Sequence, residues 1–227
     1  MTMKEDAMDQ GRRPPDQRPG AAAAPPVVGL TGPNAAGTGE VAHFLERQGY
    51  LYHSLSDVVR EEATARGLDH SRENLIRVGN ELRREFGPGV LAERIVMKLR
   101  VEGVIPKEEP GRTNDAPGHP KAARAVVDSV RSPAEVAVLR RVTGFVFLGI
   151  DAPIALRFER AALRSRVGDG ATLAEFARKE ALENTNDPAA QQLAQTLLLA
   201  DLVVANDNTL EVLHARVAAA LHIDFDA

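Results

Sequence analysis

The sequence predicts an α/β protein whose parallel sheet is covered by helices on both faces. Five short apolar runs alternate with segments of helical spacing, which is typical of parallel strands joined by helical crossovers. A glycine-rich segment follows the first run directly, and ligands of such sheets bind at the carboxyl ends of the strands. The 227 residues, 44% apolar and 26% charged, suffice for one domain with a sizeable core.

Each apolar run has the length of a buried strand. The predicted strands are Val27–Gly32, Tyr50–Leu55, Ala125–Ser129, Phe145–Asp151 and Leu202–Ala205. Helices are predicted at Gly37–Gln48, Ser56–Arg66, Ser71–Phe86 and Gly89–Glu102. Later helices are predicted from their start signals, which are a capping box from Ser132 to Glu135, Pro153, a second capping box from Thr172 to Glu175, Asp187-Pro188 and Thr209.

Two segments are rich in proline and poor in core-forming residues. Residues 1–26 are predicted to be a disordered tail, because they bury too little apolar surface to offset the entropy of ordering. Residues 104–124 hold four prolines between two periodic regions and are predicted to be a flexible insertion. The remaining chain, 27–227, is predicted to be a single domain.

Composition limits the classes of function. Without cysteine there is no disulfide, thiolate metal site, cysteine nucleophile or zinc-deaminase cysteine pair in this sequence. A formal net charge of −4 gives no reason to expect a nucleic-acid partner. Apolar runs stay well short of the roughly 20 residues of a membrane span, and the N-terminal residues lack a secretory apolar region. We therefore expect a cytoplasmic protein with no membrane partner.

The segment after the first strand has the G-x-x-x-x-G spacing of a phosphate-binding loop. Glycines let backbone N–H groups curl around phosphate oxygens, and the following helix N-terminus adds positive potential. By itself, this spacing also fits a strand-to-helix turn that binds nothing. The residues predicted to contact nucleotide phosphates are Gly32, Asn34, Ala35, Ala36, Gly37, Thr38, Gly39 and Glu40.

The sequence resembles P-loop kinase-like proteins along GLTGPNAAGTGEVAHFLERQGYLYHSLSDVVREEATARG and in VVDSVRSPAEV, DAPIALRFERAALRSRVGD and ADLVVANDNTLEVL. It is similar to dephospho-CoA-kinase-like and adenylate-kinase-like ATPases, and most resembles the kinase-like N-terminal domain of some deoxycytidylate deaminases. The resemblance covers about Val27–Leu221. It implies a three-layer α/β/α fold with strand order 2-3-1-4-5 and a helical lid, ATP or GTP with Mg²⁺, and a nucleotide-like acceptor.

Thr38 departs from this resemblance, because the related loops carry lysine at that position, in the context G-K-G-E. Gly39 and Glu40 fit the family context. The missing lysine puts phosphoryl transfer in question while leaving nucleotide binding expected. An alternative role is a catalytically weak nucleotide-binding protein that regulates, or that serves a separate protein partner such as a deaminase.

Other candidate residues follow the predicted strands. Asp128 ends the third strand, where a carboxylate resembles the acid that holds Mg²⁺, and a buried lone charge needs a partner. Arg131 resembles an arginine that binds the acceptor phosphate, although a surface turn also fits it. Asp57 and Arg60 follow the second strand and are candidates for substrate binding. Their alternatives are a dipole-stabilised helix start and a solvated charge.

The last candidates lie beyond the fourth and fifth strands. Arg157, Arg160 and Arg164 share one helix face, and Arg160 and Arg164 are interpreted as lid arginines that contact the transferring phosphate. Arg157 is interpreted as part of a solvated basic face. Asn206, after the fifth strand, is predicted to contact the nucleotide base, or else to form a turn before the final helix.

Overall fold

The computed structural model describes residues 23–106, 123–164, 171–184 and 187–225, and its strands form one parallel sheet. The strands are β1 Val27–Thr31, β2 Tyr50–Ser54, β3 Arg124–Asp128, β4 Phe145–Asp151 and β5 Leu202–Ala205. The sheet order β2-β3-β1-β4-β5 is the order that the sequence predicts, and the glycine loop joins β1 to the first helix. This is the P-loop kinase-like arrangement.

Helices cover both faces of the sheet. They are α1 Thr38–Arg47, α2 Leu55–Ala65, α3 Arg72–Phe86, α4 Val90–Val101, α5 Pro133–Leu139, α6 Ile154–Leu163, α7 Leu173–Glu183, α8 Leu193–Leu197 and α9 Leu210–Leu221. One core cluster packs α2 through α5 against the sheet. A second cluster packs α1 and α9 against the opposite face. Among the described residues, no helix is both long and apolar enough to cross a lipid bilayer.

The register of the central strand β1 brings the ends of three strands together. Val28 of β1 lies opposite Val126 of β3 and Val146 of β4, so the carboxyl ends of the three strands meet at one edge. The loop after β1, the end of β3 and the end of β4 therefore surround one region of that edge.

The capping signals are confirmed at two helices and half-formed at a third. Ser132 and Glu135 form the full reciprocal box at α5, and Thr209 accepts a bond from the Val212 N–H at α9. At α7 the Thr172 hydroxyl accepts from the Glu175 N–H, but the Glu175 carboxylate accepts from the Ala171 N–H instead of the Thr172 N–H.

The predicted helix start at Asp187-Pro188 is wrong. The Asp187 carboxylate accepts a hydrogen bond from the Ala189 N–H, and its carbonyl accepts from the Ala190 N–H, which closes a turn. Helix α8 begins only at Leu193. Aspartate bonds its own backbone in turns by the same chemistry that it uses in helix caps, so the sequence signal is ambiguous.

The edges of the two proline-rich segments are packed in the fold, so the prediction of flexibility is wrong there. Val104 and Ile105 are buried in the core, Arg124 begins β3, and Pro25 accepts a hydrogen bond from the buried Tyr50 hydroxyl. The remainder of both predictions, residues 1–22 and 107–122, lies outside the described residues.

Candidate nucleotide and acceptor site

Two glycines fix the shape of the loop between β1 and α1. A Cβ on Gly32 would lie 2.3 Å from the carbonyl oxygen of Ile150, so no side chain fits there. Gly37, the N-cap of α1, has a φ of 105°, and its Cβ would lie 2.3 Å from the side-chain nitrogen of Asn206. The Ala36 N–H donates to the Pro33 carbonyl at 3.1 Å, which closes the turn. Backbone donors at the start of a ten-residue helix suit an anion.

Thr38 is the first residue of α1, where its side chain folds back over the loop. Its methyl carbon lies 3.2 Å from the position that a Gly32 Cβ would take. Burial raises the pKa of Asp128, and a hydrogen bond with the Thr38 side chain opposes that rise. The position therefore provides a hydroxyl beside a carboxylate instead of a mobile cation. In the same first turn of the helix, Gly39 is exposed and Glu40 is half-buried.

Asn206 stabilises the loop through hydrogen bonds. Its side chain is 3% exposed, and its amide donates to the Ala36 carbonyl at 2.7 Å, while its backbone N–H donates to the Asp151 carbonyl at 2.7 Å. Arg160 donates to the Asn206 carbonyl at 3.0 Å and to its side-chain oxygen at 3.3 Å. Nucleotide contact by Asn206 remains a prediction, and the described bonds already use its side chain on the protein.

Asp128 is a buried carboxylate at the end of β3. It is 8% exposed, and its Oδ2 accepts from the Ser129 hydroxyl at 3.3 Å. Within the described ranges its buried Oδ1 has no hydrogen-bond partner. Burial raises the pKa of Asp128, and the Ser129 backbone and the Arg131 charge oppose that rise. A buried acid with one unused oxygen suits a cation or a water held by one.

Arg131 lies between two carboxylates. Burial lowers its pKa, and the charges of Asp128 and Glu135 oppose this shift. Its guanidinium donates to the Gln191 side chain at 3.0 Å, and its backbone N–H donates to Glu135 at 2.8 Å. The arginine is therefore held in place at the pocket that it lines.

A buried ion pair fixes this part of the site. Glu135 is fully buried, and its Oε1 accepts from the Arg83 guanidinium at 2.8 and 3.2 Å. Its Oε2 accepts from the backbone N–H groups of Arg131 and Ser132. Both oxygens are thus satisfied, as a buried carboxylate requires.

A pocket of about 410 Å³ opens between the loop after β1 and helices α2, α3 and α4. Loop residue Asn34 forms one wall, and Ser129 lies at the end of β3. The lining also contains four arginines and a histidine, which are Arg60, Arg72, Arg83, Arg131 and His70. Arg60 and Arg83 are paired with Asp57 and Glu135, but their remaining N–H donors, together with Arg72 and Arg131, make this concave site beside the glycine-rich loop suited to an anionic ligand.

The structure separates the three arginines that the sequence places on one face of α6. Arg160 turns towards Asn206, whereas Arg164 is exposed at the end of the helix, with no described contact to the loop. Arg157 is 6% exposed, so its interpretation as a solvated charge is wrong. It donates to the carbonyls of Asn34 and Ala152 at 3.2 and 2.9 Å and pairs with Glu180.

The second-strand candidates lie at the rim of the pocket. Arg60 lines the pocket and pairs with Asp57, and both side chains are 45% exposed. Sequence reasoning missed Arg72, Arg83, Asn80 and Gln191 as lining residues. The capping box identified Glu135, but its partner Arg83 is 52 positions away, and no local pattern indicates that distance.

Comparison with known proteins gives the family. A UPF0200 protein of Pyrococcus horikoshii is 31% identical over 194 residues, which cover 84% of this chain and 93% of that protein. The chain belongs to the UPF0200 family. An Archaeoglobus fulgidus UPF0200/UPF0201 protein is 30% identical over 191 residues, which cover 82% of this UPF0200 protein but 51% of the relative. No family model matches the sequence.

One solved structure shows the same fold, and a second aligns with a lower TM-score. TT1252 from Thermus thermophilus aligns with this UPF0200 protein at a TM-score of 0.53 and 19% identity, covering 88% of this chain and 97% of that one. A shikimate kinase from Bacteroides thetaiotaomicron aligns at a TM-score of 0.49 and 14% identity, covering 87% and 98%. The first likeness shows a shared architecture and nothing further about chemistry.

Proposed function

We propose that this protein binds ATP or GTP on the phosphate loop and transfers the terminal phosphoryl group to a small, phosphate-bearing acceptor. The pocket carries the proposal, because Asn34 of the loop and four arginines line one continuous cavity. An acceptor oxygen attacks the γ-phosphorus from that side, and the nucleoside diphosphate leaves from the loop. Nucleoside monophosphates and dephospho-CoA are the proposed classes of acceptor.

Arg160 is the proposed partial substitute for the loop lysine: its partly buried guanidinium adds fixed positive charge beside the loop but does not follow the transferred phosphoryl group, so transfer is slow. Its Nη2 contacts only neutral oxygens of Asn206, and its buried Nη1 has no partner among the described residues. Arg157, one turn earlier, is neutralised by Glu180. Phosphoryl transfer depends on placing positive charge around the transferred group, and an uncompensated guanidinium beside the loop supplies such charge.

Asp128 is the proposed Mg²⁺ residue. Mg²⁺ is commonly held by one or two carboxylates together with substrate phosphates, and the unused Oδ1 fits that requirement. The metal, when bound, would neutralise charge on the phosphates. Among the described residues there is no cluster of three or more acidic or histidine side chains, so the phosphates would supply most of the remaining ligands.

A second candidate function is a nucleotide-binding protein that regulates a partner and turns over slowly. Thr38 favours it, because the loop keeps its backbone donors and lacks the lysine that accompanies phosphoryl transfer. The Archaeoglobus relative, of which the matched region covers 51%, shows that a member of this family carries additional sequence. For this regulatory candidate, nucleotide binding changes the affinity of the protein for its partner and does not drive turnover.

A ligand screen by thermal unfolding tests both candidates. ATP or GTP with Mg²⁺, at about 100 times the dissociation constant, is expected to stabilise the protein by about 2.7 kcal/mol. Addition of each acceptor then reports on the pocket, and release of diphosphate reports turnover. If no nucleotide stabilises the protein, both candidates fail. Nucleotide binding without turnover on any acceptor leaves the regulatory candidate.

Arg131 separates the acceptor pocket from the phosphate loop. We expect Arg131→Ala to weaken acceptor binding by at least about tenfold while ATP affinity stays within about twofold, since a charged hydrogen bond is worth about 1.5–3 kcal/mol. Arg141→Ala is the matched control, because Arg141 is exposed beyond α5. Isothermal titration with ATP and with each acceptor measures both affinities. Equal losses for both ligands would remove Arg131 from the acceptor site.

The metal role of Asp128 has its own test. Asp128→Ala is expected to remove the Mg²⁺ dependence of nucleotide affinity in calorimetry while circular dichroism shows an intact fold. A variant that retains the full effect of Mg²⁺ would exclude Asp128 from the metal site.

A further inference from the structure

Helix α7 is attached to the rest of the protein through few side chains. Among its side chains that the structure describes, Phe176 alone is buried, and residues 173–175 are exposed. Phe176 packs with Ala161 of α6 and with Ala35 of the phosphate loop. An element with so little buried surface opens at low free-energy cost, so each contact contributes much to its docking.

Arg157 makes the second connection between α7 and the loop. Its guanidinium pairs with Glu180 of α7 through both terminal nitrogens, and the same Nη1 donates to the Asn34 carbonyl at 3.2 Å. Its Nε donates to Ala152 at the end of β4. One buried side chain thus joins α7, the loop and the sheet edge. Glu180 provides the negative charge that lets Arg157 remain buried.

Asn34 is also a shared wall. It lines the 410 Å³ pocket on one side and, on the other, a pocket of about 220 Å³ that Arg157 and Glu180 border. A displacement of the Asn34 backbone therefore changes the loop and the acceptor pocket together. The Asn34 carbonyl is the atom that Arg157 holds.

We propose that Arg157 is a positioning residue that couples the docking of α7 to the conformation of the phosphate loop. When α7 undocks, Glu180 leaves, Arg157 loses its counter-charge and releases the Asn34 carbonyl, and the loop loosens. In the opposite direction, a ligand that orders the loop strengthens the docking of α7, because coupling between two sites is reciprocal. The second direction rests on the proposed nucleotide function, whereas the first does not.

Hydrogen exchange by mass spectrometry on the ligand-free full chain tests the first direction. Glu180→Gln is the decisive variant, because Glu180 pairs with Arg157 and has no described contact with the loop. We expect exchange about tenfold faster both in α7 and in the loop peptide 33–41, since losing a charge-assisted bond changes an opening equilibrium by about that factor. Arg157→Lys should give the same result with the charge retained.

Arg178→Ala is the matched control, because Arg178 is exposed on the same helix. It should leave exchange in the loop unchanged. If Glu180→Gln speeds exchange in α7 alone, the pair is only structural and the proposal is overturned. A repeat with ATP and Mg²⁺ should slow exchange of α7 in the native protein and not in Arg157→Lys. Failure of ATP to bind would defeat the proposed function, while the ligand-free comparison would still decide the coupling.

Discussion

At the scale of single residues, Thr38 decides how much chemistry the loop retains. Phosphate binding uses backbone N–H groups and the helix N-terminus, and both remain. Catalysis loses a charge that follows the phosphoryl group, and one such contact is worth about 2.7–4 kcal/mol, or roughly 10²–10³ in rate, by analogy with oxyanion-hole donors. The protein is therefore expected to bind ATP or GTP with slow or undetectable turnover.

Thr38→Lys tests that expectation directly. The substituted side chain restores the missing cation, so turnover should rise by about 10²–10³ in a diphosphate-release assay, with a smaller change in ATP affinity. Thr38→Ser is the control, because it preserves the hydroxyl beside Asp128 and adds no charge. Native turnover at an ordinary kinase rate of about 1–100 s⁻¹ would show that another group, such as Arg160, already supplies the charge.

Gly37 is one of the two glycines on which the loop conformation depends. Gly37→Ala would place a methyl 2.3 Å from the Asn206 amide in a left-handed backbone conformation, so we expect a loss of about 1–3 kcal/mol of stability in chemical denaturation. Gly39→Ala is the matched control, since beyond its own helix backbone no described part of the protein lies within 4 Å of the added carbon. A Gly37→Ala protein as stable as the control would mean that Asn206 moves aside without cost.

Residue identities predicted the loop better than they predicted its supports. The glycine spacing and the strand-loop-helix context are local, so the sequence located the turn between β1 and α1, while phosphate binding there stays a prediction. Arg157 contacts residues 23 and 123 positions away, and Arg83 contacts one 52 positions away. Helical periodicity indicates which face of a helix a side chain occupies. It does not indicate which other part of the chain packs against that face. This is why a solvated charge and a buried arginine looked alike.

At the scale of elements, the Arg83–Glu135 pair joins α3 to the start of α5. Arg83→Met leaves a fully buried carboxylate without its counter-charge, which typically costs about 3–5 kcal/mol. Adding Glu135→Gln to that variant removes the charge, so the double variant should recover part of the loss in urea denaturation. Arg84→Met, at an exposed neighbouring site, should change stability by no more than about 0.5 kcal/mol.

The outcome for the double variant decides how the pair acts. Recovery means that the cost lies in the unpaired charge of Glu135. If the double variant is less stable than Arg83→Met, the hydrogen bonds from Arg131 and Ser132 to an ionised Glu135 contribute more than the pairing with Arg83.

Element boundaries show where local signals are sufficient. Ser132 and Thr209 cap helices as predicted, because the next residues continue a helical apolar pattern. Asp187-Pro188 carries a similar start signal, but the residues that follow close a turn, and α8 begins several residues later. Start signals therefore locate helices reliably only where a periodic apolar face follows them.

At the scale of the whole molecule, the sheet holds the loop between two independent cores. The order β2-β3-β1-β4-β5 places β1 in the centre. The alternation of short apolar runs with helical segments along the sequence predicted this parallel sheet. Helix α1, which follows the loop, packs on α9 in one core, while α2 through α5 pack together in the other. In the proposed function, a movement between these two sides would change the gap between the donor and acceptor phosphates.

The contact between α1 and α9 should make the stability of the whole domain depend on pH. His214 of α9 stacks on Phe44 of α1 at 4.7 Å between ring centroids, and Phe225 packs edge-on at 6.4 Å. Within the described residues its buried Nε2 has no hydrogen-bond partner. Burial lowers the pKa of His214, and the Arg47 charge adds to that effect against Glu40 and Glu211.

The sign of the effect follows from proton binding. Because the pKa of His214 is lower in the folded state, the unfolded chain takes up this proton first as the pH falls. The contribution of neutral His214 to the free energy of unfolding is fully present above the unfolded pKa of about 6.5 and is lost as the pH falls from there through the folded pKa.

His214→Phe keeps the ring stack without a titrating group, so its unfolding free energy should fall less over that interval. His43→Gln, on an exposed histidine, should follow the native profile. Urea denaturation between about pH 7.5 and 5 measures all three proteins. Parallel curves for the native protein and His214→Phe would mean that protonated His214 is accommodated without loss, and that the α1–α9 core is not the acid-sensitive part of the fold.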